Sequence, residues 1–108
     1  MREITFTYNW NNKLNCKAFT SIRLSDYYCI GKQYKVLLKT GKDVTEMGTG
    51  EVVSVKEFWL DQLNEFMSYL DTGYDVEKCR EVILRMHPKV NFEKKKLRLI
   101  LFKYISKN

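Results

Sequence analysis

The chain has 108 residues, of which 44% are hydrophobic and 30% charged, with a formal net charge of +6. That length and balance suit one globular domain over residues 1–108 with a small core, and exclude a disordered polyelectrolyte. The apolar runs are too short to span a membrane. The three cysteines Cys16, Cys29 and Cys79 form no CxxC pair, and His87 is the only histidine, so the usual zinc frameworks are excluded and no cofactor is expected. The opening "MREITFTYNW" lacks an apolar leader core. A reduced, cytoplasmic protein is the expectation.

Charge is unevenly spread. Residues 1–42 carry eight Lys/Arg against two acids, residues 43–84 three against ten, and residues 85–108 eight against one. If both basic ends fold onto one face, that face would attract polyanions, with the acidic middle on the far side. An ordinary protein with uneven charge is the alternative.

Along the chain, "REITFTY" (2–8) alternates as a first strand. The asparagine-rich 9–15 reads as a loop or one helical turn. "AFTSIRL" (18–24) is a second strand, with Phe19, Ser21 and Arg23 on one side and Thr20, Ile22 and Leu24 on the other. "QYKVLLK" (33–39) is a third. "TGKDVTEMGTG" (40–50) reads as a glycine-rich hairpin loop, and no GK[ST] tail makes it a phosphate-binding loop. "EVVSVKEF" (51–58) is a fourth strand.

The period then becomes helical. Leu60, Leu63, Phe66, Met67 and Leu70 form an apolar stripe over 60–70, closed by Gly73. A second helix over 75–87 starts at the N-cap Asp75 and ends before Pro88. Its buried stripe includes Cys79, which is read as core and not as a nucleophile. His87 falls at the helix C-terminus, where the dipole favours its charged form. A long strand over 95–105 ends the chain. Short strands with a helical pair before the last one predict an α+β fold, a small mixed β-barrel covered by helices.

The segments "FTSIR" (19–23), "GKQYKVLL" (31–38), "GEVVSVKEFWLDQL" (50–63), "DTGYDVEKCREVI" (71–83) and "LILFKYI" (99–105) follow one another as in ASCH domains. By order and spacing, nearly the whole chain resembles this group of the PUA-like superfamily. The resemblance implies a PUA-like pseudo-barrel whose cleft against the helices binds RNA or a nucleoside-like ligand. The group's K-x-x-T-I-R motif falls on Ser21-Ile22-Arg23. One bacterial branch deacetylates N4-acetylcytidine with the lysine and threonine of that motif and a glutamate before the second helix. Here Ser21 takes the threonine place, but the lysine place falls on Ala18, one residue after Lys17, and the glutamate place falls on Thr72, next to Asp71. One step along a strand turns a side chain to the other face, so Lys17 fits only if the backbone bulges.

The expected ligand contacts are therefore Lys17, Ser21 and Arg23 on one wall of the cleft, and Asp71 and Tyr74 on the other. If the chain is an amidohydrolase, Ser21 is the nucleophile and Lys17 and Asp71 assist it. Arg23 suits a phosphate or base edge, or an ion pair with an acid of the middle segment. Trp10, Tyr27 and Tyr28 suit base stacking or core packing. The run 93–98 suits RNA phosphate or a solvated strand entry. A protein-interaction module using the acidic helices is a third reading.

Overall fold

The computed structural model describes residues 1–108. Five strands, β1 (Arg2–Phe6), β2 (Ala18–Arg23), β3 (Gln33–Thr40), β4 (Asp43–Phe58) and β5 (Leu97–Lys107), form one sheet in the order β1-β3-β4-β5-β2. β1 pairs with β3 in parallel and the other three ladders are antiparallel. Two helices, α1 (Glu65–Thr72) and α2 (Val76–Met86), lie between β4 and β5 in sequence. The α+β class and the helical pair before the last strand are as the sequence led us to expect. The expected small mixed β-barrel is not shown: the five-stranded sheet is not closed, and β1 and β2 are its edges with no ladder between them.

The edges nevertheless approach. The Arg23 guanidinium on β2 donates from Nη2 to the Thr5 carbonyl on β1 at 3.0 Å, and the Phe6 and Phe19 rings meet edge-on at 5.8 Å. The sheet curls around an aromatic core that includes Ile4, Phe6, Leu14, Phe19, Tyr34 and Phe102. A side chain, not a ladder, bridges the gap. A second core, including Phe58, Leu63, Met67, Cys79, Ile83 and Leu97, joins the outer face of the sheet to the helices.

The predicted loop over 40–50 is mostly strand. β4 starts at Asp43, directly after a tight turn at Gly41, whose φ is +63°. Register shifts at Thr49/Gly50 and Val52/Ser54 bend this 16-residue strand so that it serves both β3 and β5. Gly48 has φ +148°, and a Cβ there would strike the Ser106 carbonyl on β5. Gly41 does mark a turn, whereas Gly48 permits the close approach of β5.

The first helix also differs. Leu60–Gln62 is a 3-10 turn, and α1 begins only at Glu65, with the Asn64 side chain accepting from the Met67 N–H at 3.0 Å. That cap shifts the helical phase. Met67, Ser68, Asp71 and Thr72 turn inward, and Phe66 and Leu70 of the expected stripe are 81% and 61% exposed. Gly73 closes α1 in the left-handed region, and Asp75 caps α2 by accepting from the Lys78 N–H, both as expected.

Part of the acidic middle is interleaved with the basic strands. β4, with four of the ten acids of that middle segment, lies between basic β3 and β5. Glu51 meets Lys103 at 3.9 Å and Glu57 meets Arg98 at 3.6 Å.

Candidate functional site

A cavity of about 230 Å³ opens where the gap between β1 and β2 faces α1 and α2, lined among others by Phe6, Trp10, Lys13, Arg23, Asp71 and His87. Its polar centre is a buried ion pair. Lys13 Nζ donates to Asp71 Oδ1 at 2.9 Å, and Thr20 Oγ1 donates to the same oxygen at 2.9 Å. Lys13 is 5% and Asp71 6% exposed.

Local chemistry explains how a lysine comes to be buried there. Residues Trp10–Asn15 form a 3-10 segment interrupted by Asn11 and Asn12, whose φ values are +57° and +55°. Asparagine tolerates this left-handed region better than most residues. The Asn9 side chain accepts from the Leu14 N–H at 2.9 Å and donates to Asn15 Oδ1 at 2.9 Å. The coil drives Leu14 into the aromatic core, and Tyr104 Oη ties it down by donating to the Leu14 carbonyl at 2.8 Å. Lys13, adjacent to that anchor, is carried inward with it.

Arg23 supplies the second cation. Its Nε donates to Ser21 Oγ at 2.8 Å, and its guanidinium carbon lies 4.8 Å from the Phe6 ring centroid. Burial lowers the Arg23 and Lys13 pKa values from their ordinary levels. For Lys13, burial outweighs the opposing pull of Asp71. His87 is at the C-cap of α2, as expected, but burial first and Arg23 second push its imidazole down, towards the neutral form. Burial, and to a lesser degree the Arg23 charge, outweighs the helix-end dipole.

The predicted site is thus only partly assembled. Ser21, Arg23 and Asp71 line the cavity. Lys17 does not: it is exposed, and its carbonyl accepts from the Tyr104 N–H at 2.9 Å, extending a β2–β5 ladder with no register shift. Without a bulge, the strand cannot turn Lys17 inward. Lys13, four residues earlier, holds that position. The sequence signal was its neighbour Leu14, an isolated apolar residue in a polar loop. Tyr74 stands behind the wall, its ring 5.8 Å from Trp10, which itself lines the cavity. Ser21 has an arginine as its side-chain partner, a donor that cannot take up a proton, so no base stands beside it. Cys79 is fully buried, with its thiol pushed up by burial, in keeping with a core role.

Two polar groups remain available to a ligand. Asp71 Oδ2 and Arg23 Nη1 make no hydrogen bond within the chain, yet no buried side-chain polar atom is left without a partner. Both atoms are therefore accessible, an acceptor and a donor on side chains that line the cavity together with Phe6, Ile22 and Val82.

No protein-family model and no curated protein matches the chain. Among solved structures, the fold is similar to the crystal structure of protein EF3133 from Enterococcus faecalis V583, described by the family model DUF984. The TM-score is 0.63 at 8% identity, covering 100% of this chain and 83% of that one. At that identity the likeness concerns the fold alone. No helix is long and apolar enough to cross a membrane.

Proposed function

We propose that the chain is an ASCH-like domain of PUA-like type whose cavity binds one nucleoside or modified nucleobase. The observation that carries this reading is a free acceptor on Asp71 and a free donor on Arg23, both accessible and both on residues that line one small cavity with apolar walls. A base ring offers the complement: a donor and an acceptor on one edge, with apolar faces on either side. The cavity volume, about 230 Å³, lies below the usual range of about 300–1,000 Å³ for drug-sized ligands, so one ring system is the appropriate occupant.

The test is calorimetric titration with cytidine and N4-acetylcytidine, repeated on Asp71→Asn and Arg23→Met. Each substitution should weaken binding about tenfold, the scale of one charge-assisted hydrogen bond. Absence of binding, or binding that neither substitution changes, sinks the proposal.

Amide hydrolysis is the second reading, and one contact favours it. A lysine with lowered pKa, a hydroxyl and a carboxylate meet at Asp71 Oδ1. The trio is Lys13, Thr20 and Asp71, in place of Lys17, Ser21 and Asp71. Water would add to the acetyl carbonyl, the C–N bond would break, and the leaving amine would take a proton. Acetate release that Thr20→Val and Lys13→Met abolish is the outcome this reading requires. Binding without turnover leaves a reader of the nucleoside.

A further inference from the structure

A second depression, of about 620 Å³ and open to solvent, adjoins the cavity. Leu24 lines both. Its cations are Lys94, Lys95 and Lys96 on the segment leading into β5, and Arg98 on β5 itself. The three lysines are exposed, and none makes an ion pair. Two acids share the groove: Glu57 lies 3.6 Å from Arg98, and Asp26 is exposed on the rim. The balance is four positive charges against two negative ones.

An aromatic ring lies among these cations. The half-buried Trp59 lines the groove, and Lys96 Nζ sits 5.2 Å from its ring centroid. The groove is also rigidly joined to the cavity. Arg23 and Arg98 are direct partners on the β2–β5 ladder, one lining the cavity and the other the groove. Arg98 Nη1 further donates to the Leu24 carbonyl at 2.8 Å, fixing the wall between the two depressions.

We propose that this groove holds the sugar-phosphate backbone of a single-stranded nucleic acid whose neighbouring nucleotide occupies the cavity. Single strands are held by a positive groove that follows the backbone and by aromatic rings on which bases stack. Lys94, Lys95 and Lys96 supply the phosphate contacts, and Trp59 supplies the stacking face. A duplex does not fit, because its bases are not free to enter the cavity or stack on Trp59. The proposal rests on the nucleoside reading for the nucleotide in the cavity, but its phosphate contacts can be measured separately.

The experiment is fluorescence anisotropy with a labelled single-stranded RNA of about ten nucleotides, its DNA equivalent and a matching duplex, across a salt series. The variants are Lys94→Gln/Lys95→Gln/Lys96→Gln together, Trp59→Leu, and Asp71→Asn as the cavity control. The triple variant should bind the single strand at least tenfold more weakly. Its plot of log affinity against log salt should be shallower by about 2, from three lost phosphate contacts at about 0.7 each. Its titration with cytidine should be unchanged. An unaltered affinity and salt slope in the triple variant, or a preference for the duplex, overturns the inference. Loss of nucleoside binding by the wild type, with strand binding still sensitive to the three lysines, defeats the cavity reading and keeps the groove.

Discussion

Lys13 and the lysines at 94–96 are the same residue type in opposite settings. Lys13 is buried, hydrogen-bonded to one carboxylate, and lowered in pKa by its surroundings. Lys94, Lys95 and Lys96 lie in the open with no acid paired to them. The difference is one of dielectric. A buried cation depends on its partner, and removing that partner leaves an uncompensated charge. An exposed cation contributes little to stability and keeps its full field for a polyanion outside. One setting organises a cavity; the other attracts a ligand.

The largest expected effect comes from breaking the buried pair. Asp71→Ala should lower unfolding free energy by about 3–5 kcal/mol in denaturant titration, because Lys13 and Thr20 lose their shared acceptor. The double variant Lys13→Met/Asp71→Leu should recover most of that loss, since an apolar pair leaves no orphaned charge. A loss below about 0.5 kcal/mol for Asp71→Ala, the range of ordinary surface changes, would erase the contrast between the two lysine settings.

A smaller effect is expected at the cap that presents Asp71. Asn64→Ala removes the acceptor for the Met67 N–H and should cost about 1 kcal/mol. It should also weaken nucleoside binding, because the phase of α1 decides that Asp71 faces inward. Lost stability with binding unchanged would show that the sheet edge, and not the helix start, holds the carboxylate.

Alkaline titration sharpens the comparison further. The folded pKa of Lys13 is below its ordinary 10.5, chiefly through burial. Between that lowered value and 10.5 the unfolded chain binds more protons, so this group makes stability rise with pH. Its contribution is complete above 10.5 and is lost as pH falls through the folded value. Tyr104 acts in the opposite sense. Burial, and to a lesser degree Cys16, pushes its phenol from 10.0 up to about 12. Its stabilising contribution is intact below 10.0 and is lost as pH climbs towards about 12. Subtracting the Lys13→Met stability profile from the wild-type one should leave a curve rising towards pH 10.5; the Tyr104→Phe difference should fall above pH 10.0. A flat Lys13 difference would mean that Asp71 cancels the effect of burial.

The smallest stability effect belongs to the open lysines. The triple glutamine variant at 94–96 should unfold within about 0.5 kcal/mol of the wild type. A larger loss would mean that these side chains serve the fold, as through the contact of Lys96 with Trp59, and not a ligand.

Much of this molecule was legible along the chain because it follows from neighbouring residues. Alternation placed four of the five strands to within about two residues, the common uncertainty of element ends. Asp75, Gly73 and Pro88 marked helix ends through local hydrogen bonding and backbone freedom. Ser21, Arg23 and Asp71, singled out from the sequence, line one cavity. Three features needed the tertiary structure. Gly48 read as loop until the close approach of β5 showed why the strand there excludes a Cβ. The inward face of α1 depended on the Asn64 cap, which selects a different stripe from the hydrophobic count. Lys13 entered the cavity through two left-handed asparagines and the burial of Leu14, contacts that span up to 90 residues of sequence. Local pattern decides what each segment can become, and only packing across the sheet gap decides which cation is taken out of water.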